Sequence, residues 1–310
     1  MRGFAIILAG AVVAIMGCGD EVTSPGGPTA ASPTTGRAAA VADSALLILG
    51  GDIHANCKIG NRSAATAPLV AKYPGAVVVV LGDNAGADGT ASEFACYDRT
   101  WGQFKSRTFA TIGNHELRQD TAGTAYYDYF NGVGVDSGRA GHRGRGNYTL
   151  DLAGWRIYVA NNFRNGDDQQ AWMAQDLVAT PRKCTMAIWH SPVFTSNAEV
   201  VPATSLRRWW KVLYSGGADV VVGAHAHNYE RFAEVTPFGV VDQQRGIREF
   251  VVGTGGGASL FGFVSQPHPA SRKRIVTWGI LKLTLWPTRY KWQFIDLTGA
   301  VLDSGSDACH

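Results

Sequence analysis

Seven residues that could ligate metal ions follow short apolar runs at five places in this sequence. Each run is rich in large apolar residues and ends in Asp, Asn or His. The candidates are Asp52, His54, Asp83, Asn114, His190, His225 and His227. Their oxygen atoms and imidazole nitrogens suit divalent metal ions. One such turn means little, but five repetitions predict that these residues share one metal site.

The spacing of the candidates predicts two ions rather than one. Asp52 and His54 lie two residues apart, so both can reach one ion from a loop backbone, and the later HxH pair has the same spacing. A zinc ion usually takes four protein ligands, or three with an open position, so seven donors are too many for one ion. A carboxylate can give one oxygen to each of two ions. We therefore predict a dinuclear centre in which Asp83 is the bridge.

Two ions roughly 3.5–4 Å apart form a clamp for in-line displacement at phosphorus, and they lower the pKa of a bound water. Two divalent ions outweigh the charges of Asp52 and Asp83, so the centre stays positive even with a bridging hydroxide. Such a centre attracts phosphate esters and stabilises the charge that develops in the transition state.

The apolar runs predict the strands that position these residues. The run Val77–Leu81 indicates a strand buried on both faces, and Gly82 then lets the backbone turn. Helices are predicted over 63–72 and 91–100, the second with Ser92 or Thr90 near its cap. The first half thus alternates strand and helix, which predicts parallel pairing with right-handed crossovers. Open α/β sheets place their ligand sites at the carboxyl ends of such strands.

The second half predicts a hairpin and two further helices, followed by strands with stronger alternation. The hairpin turns at Ala153-Gly154, and the alternating late strands predict a second, more antiparallel sheet. The predicted ranges are 147–152 and 155–160 for the hairpin, 168–179 and 206–214 for the helices, and 229–235, 247–252, 276–285 and 290–295 for the late strands.

Residues 132–146 are rich in glycine and arginine and predict a long loop over the site. For His142, Arg143 and Arg145 in this loop we expect exposed positions, with a substrate contact as the alternative.

Composition favours one ordinary globular protein of 310 residues. Hydrophobic residues make up 45% and charged residues 17% of the chain, which is typical of soluble folded domains. The formal net charge of +3 is too small to indicate nucleic-acid binding, and no basic run exceeds Arg272-Lys273-Arg274. We therefore expect no nucleic-acid partner.

The N-terminus predicts export. Arg2 precedes an apolar run that ends at Met16, which is typical of a signal peptide and too short for a comfortable membrane span. Residues 15–18 resemble a bacterial lipobox, so we expect a signal peptide over 1–17 and a lipid on Cys18. Residues 18–40 predict a flexible tether, and 41–310 the functional domain. The protein would then be a periplasmic or cell-surface lipoprotein held to the membrane through Cys18, with ordinary secretion as the alternative.

Four cysteines follow Cys18, and an even number in an exported protein predicts two disulfides with three possible connectivities. No CxxC pair is present, so a structural zinc site is not expected. We favour Cys57–Cys96, which would join the loops after the first two strands. The remaining pair, Cys184–Cys309, would pin the C-terminal tail to the start of the strand that leads to His190.

Together the motifs resemble the calcineurin-like metallophosphoesterase superfamily, and within it the secreted purple-acid-phosphatase-like enzymes of bacteria. The resemblance extends from about Leu46 to the C-terminus, and it includes the non-catalytic stretches 93–105, 228–231 and 250–256. The motifs that carry it are Asp52-x-His54, Gly82-Asp83-Asn84, Gly113-Asn114-His115-Glu116, the lone His190, and the stretch from His225 to Arg231. It implies an α/β fold, a four-layer α/β/β/α sandwich of two mixed sheets with the metals at the strand ends.

The resemblance also implies roles for individual residues. Asp83 would bridge, His115 would donate a proton to the leaving group or stabilise the phosphoryl oxygens, and Glu116 would orient nearby histidine or backbone groups. The implied ligands are Asp52, His54, Asp83 and His227 for one ion, and Asp83, Asn114, His190 and His225 for the other.

The implied activity is acid-phosphatase-like. It is the hydrolysis of phosphate monoesters by a metal-activated hydroxide at a dinuclear centre of iron, manganese or zinc. A phosphodiesterase or nucleotide hydrolase with the same centre is the alternative.

Other functional classes fit the pattern less well. A metallo-β-lactamase-like hydrolase needs Asp-His directly after its HxH motif, whereas Asn228-Tyr229 stand there. An amidohydrolase barrel places HxH after its first strand, and here HxH comes late. A non-catalytic phosphate or metal binder on the same fold would be expected to lack His115 or a ligand, and none is missing.

Three departures from the family pattern bear on the chemistry. Gly86 stands where purple acid phosphatases carry the tyrosine whose phenolate binds Fe³⁺. No histidine lies between His190 and His225, where the plant enzymes carry extra substrate histidines. Ala224 replaces the usual glycine before the HxH pair, and one extra methyl should not abolish metal binding.

Because Gly86 supplies no phenolate, we predict a protein without a strong visible absorption band that is active with divalent ions. Carboxylates and neutral imidazoles form a less anionic set, which favours M²⁺ over Fe³⁺. An absorption spectrum of the iron-loaded protein tests this. An intense visible band that disappears on mutation of Tyr97 or Tyr229 would show that another phenolate has taken the place.

Overall fold

The computed structural model describes residues 43–57, 61–164, 166–257 and 259–310. The predicted signal peptide (1–17), the lipidation site Cys18 and the tether (18–40) lie outside these ranges, so they stay predictions.

The described residues form fifteen strands, five α-helices and three short 3₁₀ helices. The strands are β1 (Ala45–Gly50), β2 (Val77–Leu81), β3 (Thr108–Thr111), β4 (Ser137–Gly138), β5 (Gly141–His142), β6 (Tyr148–Leu152), β7 (Trp155–Val159), β8 (Cys184–Ile188), β9 (Val220–Gly223), β10 (Tyr229–Val235), β11 (Ile247–Val252), β12 (Ser271–Ile275), β13 (Gly279–Trp286), β14 (Arg289–Asp296) and β15 (Val301–Ala308). The α-helices are α1 (Ser63–Ala71), α2 (Ala91–Asp98), α3 (Thr124–Asn131), α4 (Gly166–Ala179) and α5 (Arg207–Ser215), and the 3₁₀ helices are Trp101–Arg107, His115–Leu117 and Thr204–Leu206.

Two mixed sheets carry the fold. The first has the strand order β15-β14-β13-β1-β2-β3, and the second has the order β12-β10-β11-β9-β8-β7-β6. The pairs β1–β2 and β2–β3 are parallel, which confirms the prediction for the first half of the chain. In the second sheet β7, β8, β9 and β11 pair in parallel. Within each sheet the carboxyl ends of the parallel strands therefore meet at one edge.

The late strands do not form a sheet of their own, so that prediction is wrong. Strand β13 pairs antiparallel with β1, and β14 and β15 extend the first sheet outward from it. Strands β10 to β12 instead complete the second sheet beside β9. The alternation correctly indicated antiparallel partners, but it carries no information about which sheet a strand joins.

Among the described residues, three buried apolar clusters define four layers, as the resemblance implied. One cluster lies between the sheets and joins side chains of β1, β2 and β13 to side chains of β7, β8 and β9. A second covers the outer face of the first sheet beneath α1, α2 and α3, and a third covers the outer face of the second sheet beneath α4 and α5. Strand β2 needs apolar residues throughout because both of its faces are buried. Val79 packs between the sheets, and Val80 packs beneath the helices.

The helices begin and end close to the predicted positions. Thr90 forms a capping box with Glu93 at the start of α2, where each side chain accepts a backbone N–H of the other. The sequence pattern does not predict α3, β12 or β15. Strand β15 has Gly305 and several polar residues where apolar alternation would be expected, so only its pairing with β14 reveals it.

The glycine-rich loop contains the small hairpin β4–β5, and two of its polar side chains have internal partners. The guanidinium of Arg143 bonds the carboxylate of Asp128 and the carbonyl of Gly132. The ring of His142 lies 2.6 Å from the carboxylate of Asp136. The alternative of a substrate contact is therefore not supported for these two residues.

Both predicted disulfides are confirmed. Cys57 is bonded to Cys96 and joins the loop after β1 to α2. Cys184 is bonded to Cys309 and joins the start of β8 to the end of the chain. In the part of the chain that the structure describes, no helix combines the length and apolar character needed to cross a membrane.

Hydrogen bonds to the carboxylate of Asp303 connect the two sheets. Its side chain accepts hydrogen bonds from the hydroxyl of Tyr229 at 2.7 Å, from Nε of Arg231 at 2.7 Å and from the indole of Trp292 at 3.2 Å. Tyr229 and Arg231 belong to β10 in the second sheet, whereas Asp303 belongs to β15 in the first. Burial acts to raise the pKa of Asp303, but Arg231 and Tyr229 hold it below the usual value.

We expect Asp303→Asn to lower the free energy of unfolding by about 3 kcal/mol, because it leaves the Arg231 charge poorly paired in a nearly buried position. The folded pKa of Asp303 is below the unfolded one, so this stability is present above about pH 4 and is lost as the pH falls further. Urea unfolding at neutral pH measures the loss.

The matched control is Asp151→Asn, which removes an exposed partner of Arg156. It should cost less than about 1 kcal/mol. Equal losses in the two variants would contradict the role given to Asp303.

Candidate metal centre

All seven predicted ligand residues converge at the carboxyl ends of the strands. The first sheet contributes the residues after β1, β2 and β3, and the second sheet contributes those after β8 and β9. In that order they are Asp52 and His54, Asp83, Asn114, His190, and His225 with His227. The site therefore lies where both sheets end on the same side of the sandwich.

The carboxylate of Asp83 lies at the middle of the cluster and is 1% exposed. Its Oδ2 is 3.3 Å from Nε2 of His190, 3.6 Å from Nε2 of His54 and 3.7 Å from Nε2 of His115. One oxygen thus faces histidines from both predicted ion sites. This is the position that a bridging carboxylate requires.

A first group of donors surrounds Asp52, whose Oδ1 is 3.4 Å from Nε2 of His227 and 3.8 Å from Nε2 of His54. The ligand atoms of these three residues lie within 4.8 Å of one another. They can therefore reach a single ion.

A second group consists of Asp83, His190 and His225, whose ligand atoms also lie within 4.8 Å of one another. The side-chain oxygen of Asn114 is 3.1 Å from Nε2 of His190, which brings it to the same place. The two groups match the division of ligands that the resemblance implied.

Backbone strain is concentrated at this centre. Six non-glycine residues in the described ranges have positive φ, and four of them are predicted ligands. Their φ angles are 52° for Asp52, 47° for His54, 53° for Asp83 and 65° for His225. This conformation costs roughly 1–2 kcal/mol for a residue with a Cβ. The fold holds these residues in this conformation despite the cost. The sequence pattern does not predict their positive φ angles.

Backbone carbonyls fix the orientation of two ligand rings. Nδ1 of His190 lies 2.8 Å from the carbonyl of Leu81, and Nδ1 of His227 lies 2.9 Å from the carbonyl of Ser259. A carbonyl only accepts, so each Nδ1 carries the hydrogen and each Nε2 faces the centre. Histidine ligands are commonly held in this way.

The electrostatics of the cluster are dominated by its two carboxylates. Burial acts to lower the pKa of His54 and His190, but Asp52 and Asp83 raise these values to about 10 and about 9. Burial and the neighbouring His190 lower the pKa of His225 to about 4. The field of the site therefore favours positive charge beside the carboxylates and disfavours it at His225.

Asp52 fits a cation. It is fully buried, and neither of its oxygens has a hydrogen-bond partner among the described residues. Nε2 of His54 likewise has none. Burying a carboxylate without donors is costly unless a cation pairs with it. Two carboxylates, one amide oxygen and four imidazoles are a donor set that divalent iron, manganese or zinc accepts.

Residues 47–229 match the family model for calcineurin-like phosphoesterases. The match spans more than half of the chain and includes all seven predicted ligands. The chain belongs to the calcineurin-like phosphoesterase family.

A curated relative agrees with this membership. Purple acid phosphatase 23 of Arabidopsis thaliana is 26% identical over 149 residues, which cover 44% of this chain and 32% of that protein. The chain thus spans about a third of the length of this curated relative.

The fold is similar to that of a purple acid phosphatase from yellow lupin (Lupinus luteus) seeds, with a TM-score of 0.68, 18% identity, and coverage of 86% of this chain and 54% of the lupin chain. It is also similar to GAP50, the anchor in the inner membrane complex of Plasmodium, with a TM-score of 0.63, 11% identity, and coverage of 86% and 89%.

Position 86, where the tyrosine is missing, is unfavourable for a residue with a side chain. Gly86 has a φ of +59°, and a Cβ there would lie 1.9 Å from Cδ of Glu93. The two tyrosines considered as substitutes are occupied elsewhere. Tyr229 bonds Asp303, and the buried ring of Tyr97 packs in the cluster beneath the first sheet. These positions support the prediction that iron gives no strong visible band.

His115 lies at the open side of the centre, with 19% of its side chain exposed. Its backbone N–H donates to Oδ1 of Asp83 at 2.8 Å, and its Nδ1 bonds the carbonyl of Ala87. The ring is 4.5 Å from the ring of His54. Because the carbonyl requires a hydrogen on Nδ1, the nitrogen that faces Asp83 is the one free to exchange a proton.

Glu116 is buried beneath Asp83 and binds backbone amides. Its Oε2 accepts from Gly113 at 2.7 Å and from Asp83 at 3.0 Å, and its Oε1 accepts from Asn84 at 2.6 Å and from Ala85 at 3.3 Å. Burial and the charge of Asp83 raise the pKa of Glu116 to about 7, against the effect of these amides. The contacts favour a positioning role, as the resemblance implied, over direct participation in catalysis.

Two further buried glutamates support the loop after His190, and the sequence pattern does not predict their role. Glu249 accepts the backbone N–H groups of Val193 and Phe194, at 2.8 Å and 2.9 Å. Glu230 accepts the N–H of Ser196 at 2.7 Å. The available signal is a carboxylate inside a strand that is buried along its whole length, as Glu249 is in β11.

We expect Glu116→Gln to weaken metal binding roughly 10- to 100-fold, the usual effect of losing a residue that orients ligands. Either orientation of the amide would point an NH₂ group at two backbone N–H donors and so displace Asp83. Chelator competition measures the affinity.

The control is Asp219→Asn, which disrupts the same kind of bond, from a buried carboxylate to the backbone N–H groups of Thr185 and His310, at the ends of β8 and β9 opposite the ligands. It should lower the melting temperature but keep metal affinity. Unchanged metal affinity in Glu116→Gln would contradict the positioning role.

Proposed function

We propose that the chain hydrolyses phosphate monoesters with two divalent ions bound at this centre. One ion would be held by Asp52, His54, Asp83 and His227, and the other by Asp83, Asn114, His190 and His225. The observation that carries the proposal is Oδ2 of Asp83, which faces His54 of one group and His190 of the other within 3.6 Å. A single buried oxygen in this position suits two ions better than one.

When bound, the ions would supply Lewis acidity and a water of lowered pKa. The protein's own contribution begins with its charges. Asp52 and Asp83 remain ionised in the interior, because nearby histidines hold both pKa values well below the usual range against the effect of burial. Two carboxylates against two divalent ions leave a net positive site, which would hold a phosphate dianion and the charge that develops on it.

His115 would protonate the leaving group. Its Nδ1–H is committed to the carbonyl of Ala87, so its Nε2 carries the mobile proton. Cleavage of the phosphorus–oxygen bond leaves the electron pair on the alkoxide oxygen, which takes that proton. The backbone bond from His115 to Asp83 keeps the ring beside the bridge.

Two alternatives remain distinct from this proposal. A phosphodiesterase or nucleotide hydrolase would use the same residues, because the rim and not the ligand set decides how many ester groups fit. A non-catalytic, surface-anchored phosphate or metal binder on the same fold is the other. The complete ligand set and the placement of His115 favour an enzyme.

We also propose that the domain works outside the cytoplasm. Two disulfides are typical of an oxidising compartment. The signal peptide over 1–17, the tether over 18–40 and the lipid on Cys18 would place the domain over 41–310 at a membrane surface.

A substrate panel tests the proposed activity. Purified protein is assayed with monoesters, diesters and nucleotides in the presence of added Mn²⁺, Zn²⁺ or Fe²⁺. We expect the fastest turnover with monoesters. Faster turnover of diesters would favour the first alternative, and no turnover of any phosphoester with any metal would show that the chain is not this enzyme.

We expect His115→Ala to retain both ions and to lower kcat roughly 10²- to 10⁴-fold, the usual effect of losing a general acid. The loss should be smaller for esters with good leaving groups, because these need little protonation. Elemental analysis and steady-state kinetics across a leaving-group series measure both effects.

His142→Ala, which removes an exposed imidazole from the glycine-rich loop, serves as the control and should leave kcat unchanged. If His115→Ala caused the same loss with every leaving group, its role would be electrostatic rather than acidic.

A further inference from the structure

A polar cavity of about 350 Å³ lies beside the proposed metal centre and does not include any of its ligands. Two arginines, two amides, a carboxylate and an indole line it: Arg145, Asn147, Arg164, Asp168, Gln169 and Trp172. Neither arginine has a carboxylate partner within 4 Å among the described residues. Two guanidinium groups against the carboxylate of Asp168 leave the lining with a net positive charge.

The topology places this cavity at the same edge as the centre. Strand β7 runs parallel to β8, so the segment after β7, which carries Arg164, ends beside the segment that carries His190. Strand β6 is antiparallel to β7, so the residues just before it, including Arg145, lie at that edge too. Neighbouring strands are about 4.8 Å apart, so β6 lies roughly 10 Å from β8.

The segment that leads into the cavity wall contacts the ligand His190. The side-chain oxygen of Asn162 accepts the backbone N–H of His190 at 3.0 Å and of Ser191 at 3.2 Å. The ring of Phe163 is 6.0 Å from the ring of His190. Arg164 directly follows Phe163, so it lies one residue from a side chain that packs beside His190.

The side chains around the cavity are fixed by contacts that leave the arginines available. Gln169 accepts the N–H of Asn161 and donates to the carbonyl of Arg164, which holds the segment in place. Trp172 packs edge-on against Tyr158 at 5.4 Å. The carboxylate of Asp120 accepts the backbone N–H groups of Ala122 and Thr124. It attracts Arg164 electrostatically but does not form an ion pair with it within 4 Å.

We propose that Arg145 and Arg164 bind a second anionic group of the substrate, and that the preferred substrates are organic bisphosphates whose two phosphates are separated by several atoms. This inference rests on the proposed function. One phosphate would sit at the metal centre and the other between the two guanidiniums, which suit the bidentate binding of phosphate oxygens. The indole of Trp172 would contact the apolar part of the linker.

The test compares hexane-1,6-diyl bisphosphate with hexyl phosphate on the metal-loaded protein. We expect kcat/KM for the bisphosphate to be about tenfold higher, beyond the factor of about two that two equivalent ends provide. Arg145→Ala and Arg164→Ala should each remove most of this preference and leave kcat/KM for hexyl phosphate unchanged. Arg182→Ala, which removes an exposed arginine just before β8 at the opposite edge, should keep the preference.

Equal kcat/KM for the two esters, or a preference that survives both variants, would overturn the inference and leave the proposed function standing. If no ester is hydrolysed, the proposed function is wrong. The role of the cavity is then tested by measuring how tightly the protein binds non-hydrolysable analogues. Calorimetry with hexane-1,6-diyl bisphosphonate and hexylphosphonate would support it if the first binds more tightly and loses that advantage in the double variant. Equal affinities would refute it.

Discussion

The metal centre depends on the buried carboxylate of Glu116. It collects four backbone N–H groups from two loops, those after β2 and β3, and so fixes the turn that carries Asp83. Asp83 in turn bonds the backbone of His115 and faces three histidines. A buried residue that never needs to touch substrate therefore sets the distances among those that would. The same device recurs at Glu249 and Glu230 beneath the loop after His190.

The positive φ angles of four ligands have a related meaning. Each costs free energy locally, and the two-sheet core supplies the stability that offsets it. The cluster between the sheets and the cluster on the outer face of the first sheet both include residues of the strands that end at the site. Stability gained by packing is thus used to hold side chains in conformations that an isolated loop would not keep.

Much of this organisation could be predicted from the sequence, because the relevant signals are local. Buried strands that end in Asp, Asn or His indicated the site, and the cysteine count with strand order indicated the disulfides. The partner of β13 could not be predicted, because alternation gives the type of pairing and not the partner. Strand β15 lacked apolar alternation. Nor could the sequence reveal the pairing of Arg143 with Asp128, or the cavity between Arg145 and Arg164, since both depend on contacts made only after folding.

The position of β13 beside β1 has a consequence for how the chain is made. The first strand of the domain is completed on one side by β2 and on the other by a strand from the C-terminal part of the sequence. Until that part has been synthesised, β1 has an unpaired apolar edge, which is the kind of surface that recruits strands from other molecules. The first sheet is therefore closed late, and a chain stalled or cleaved before β13 would tend to aggregate instead of folding to a smaller stable unit.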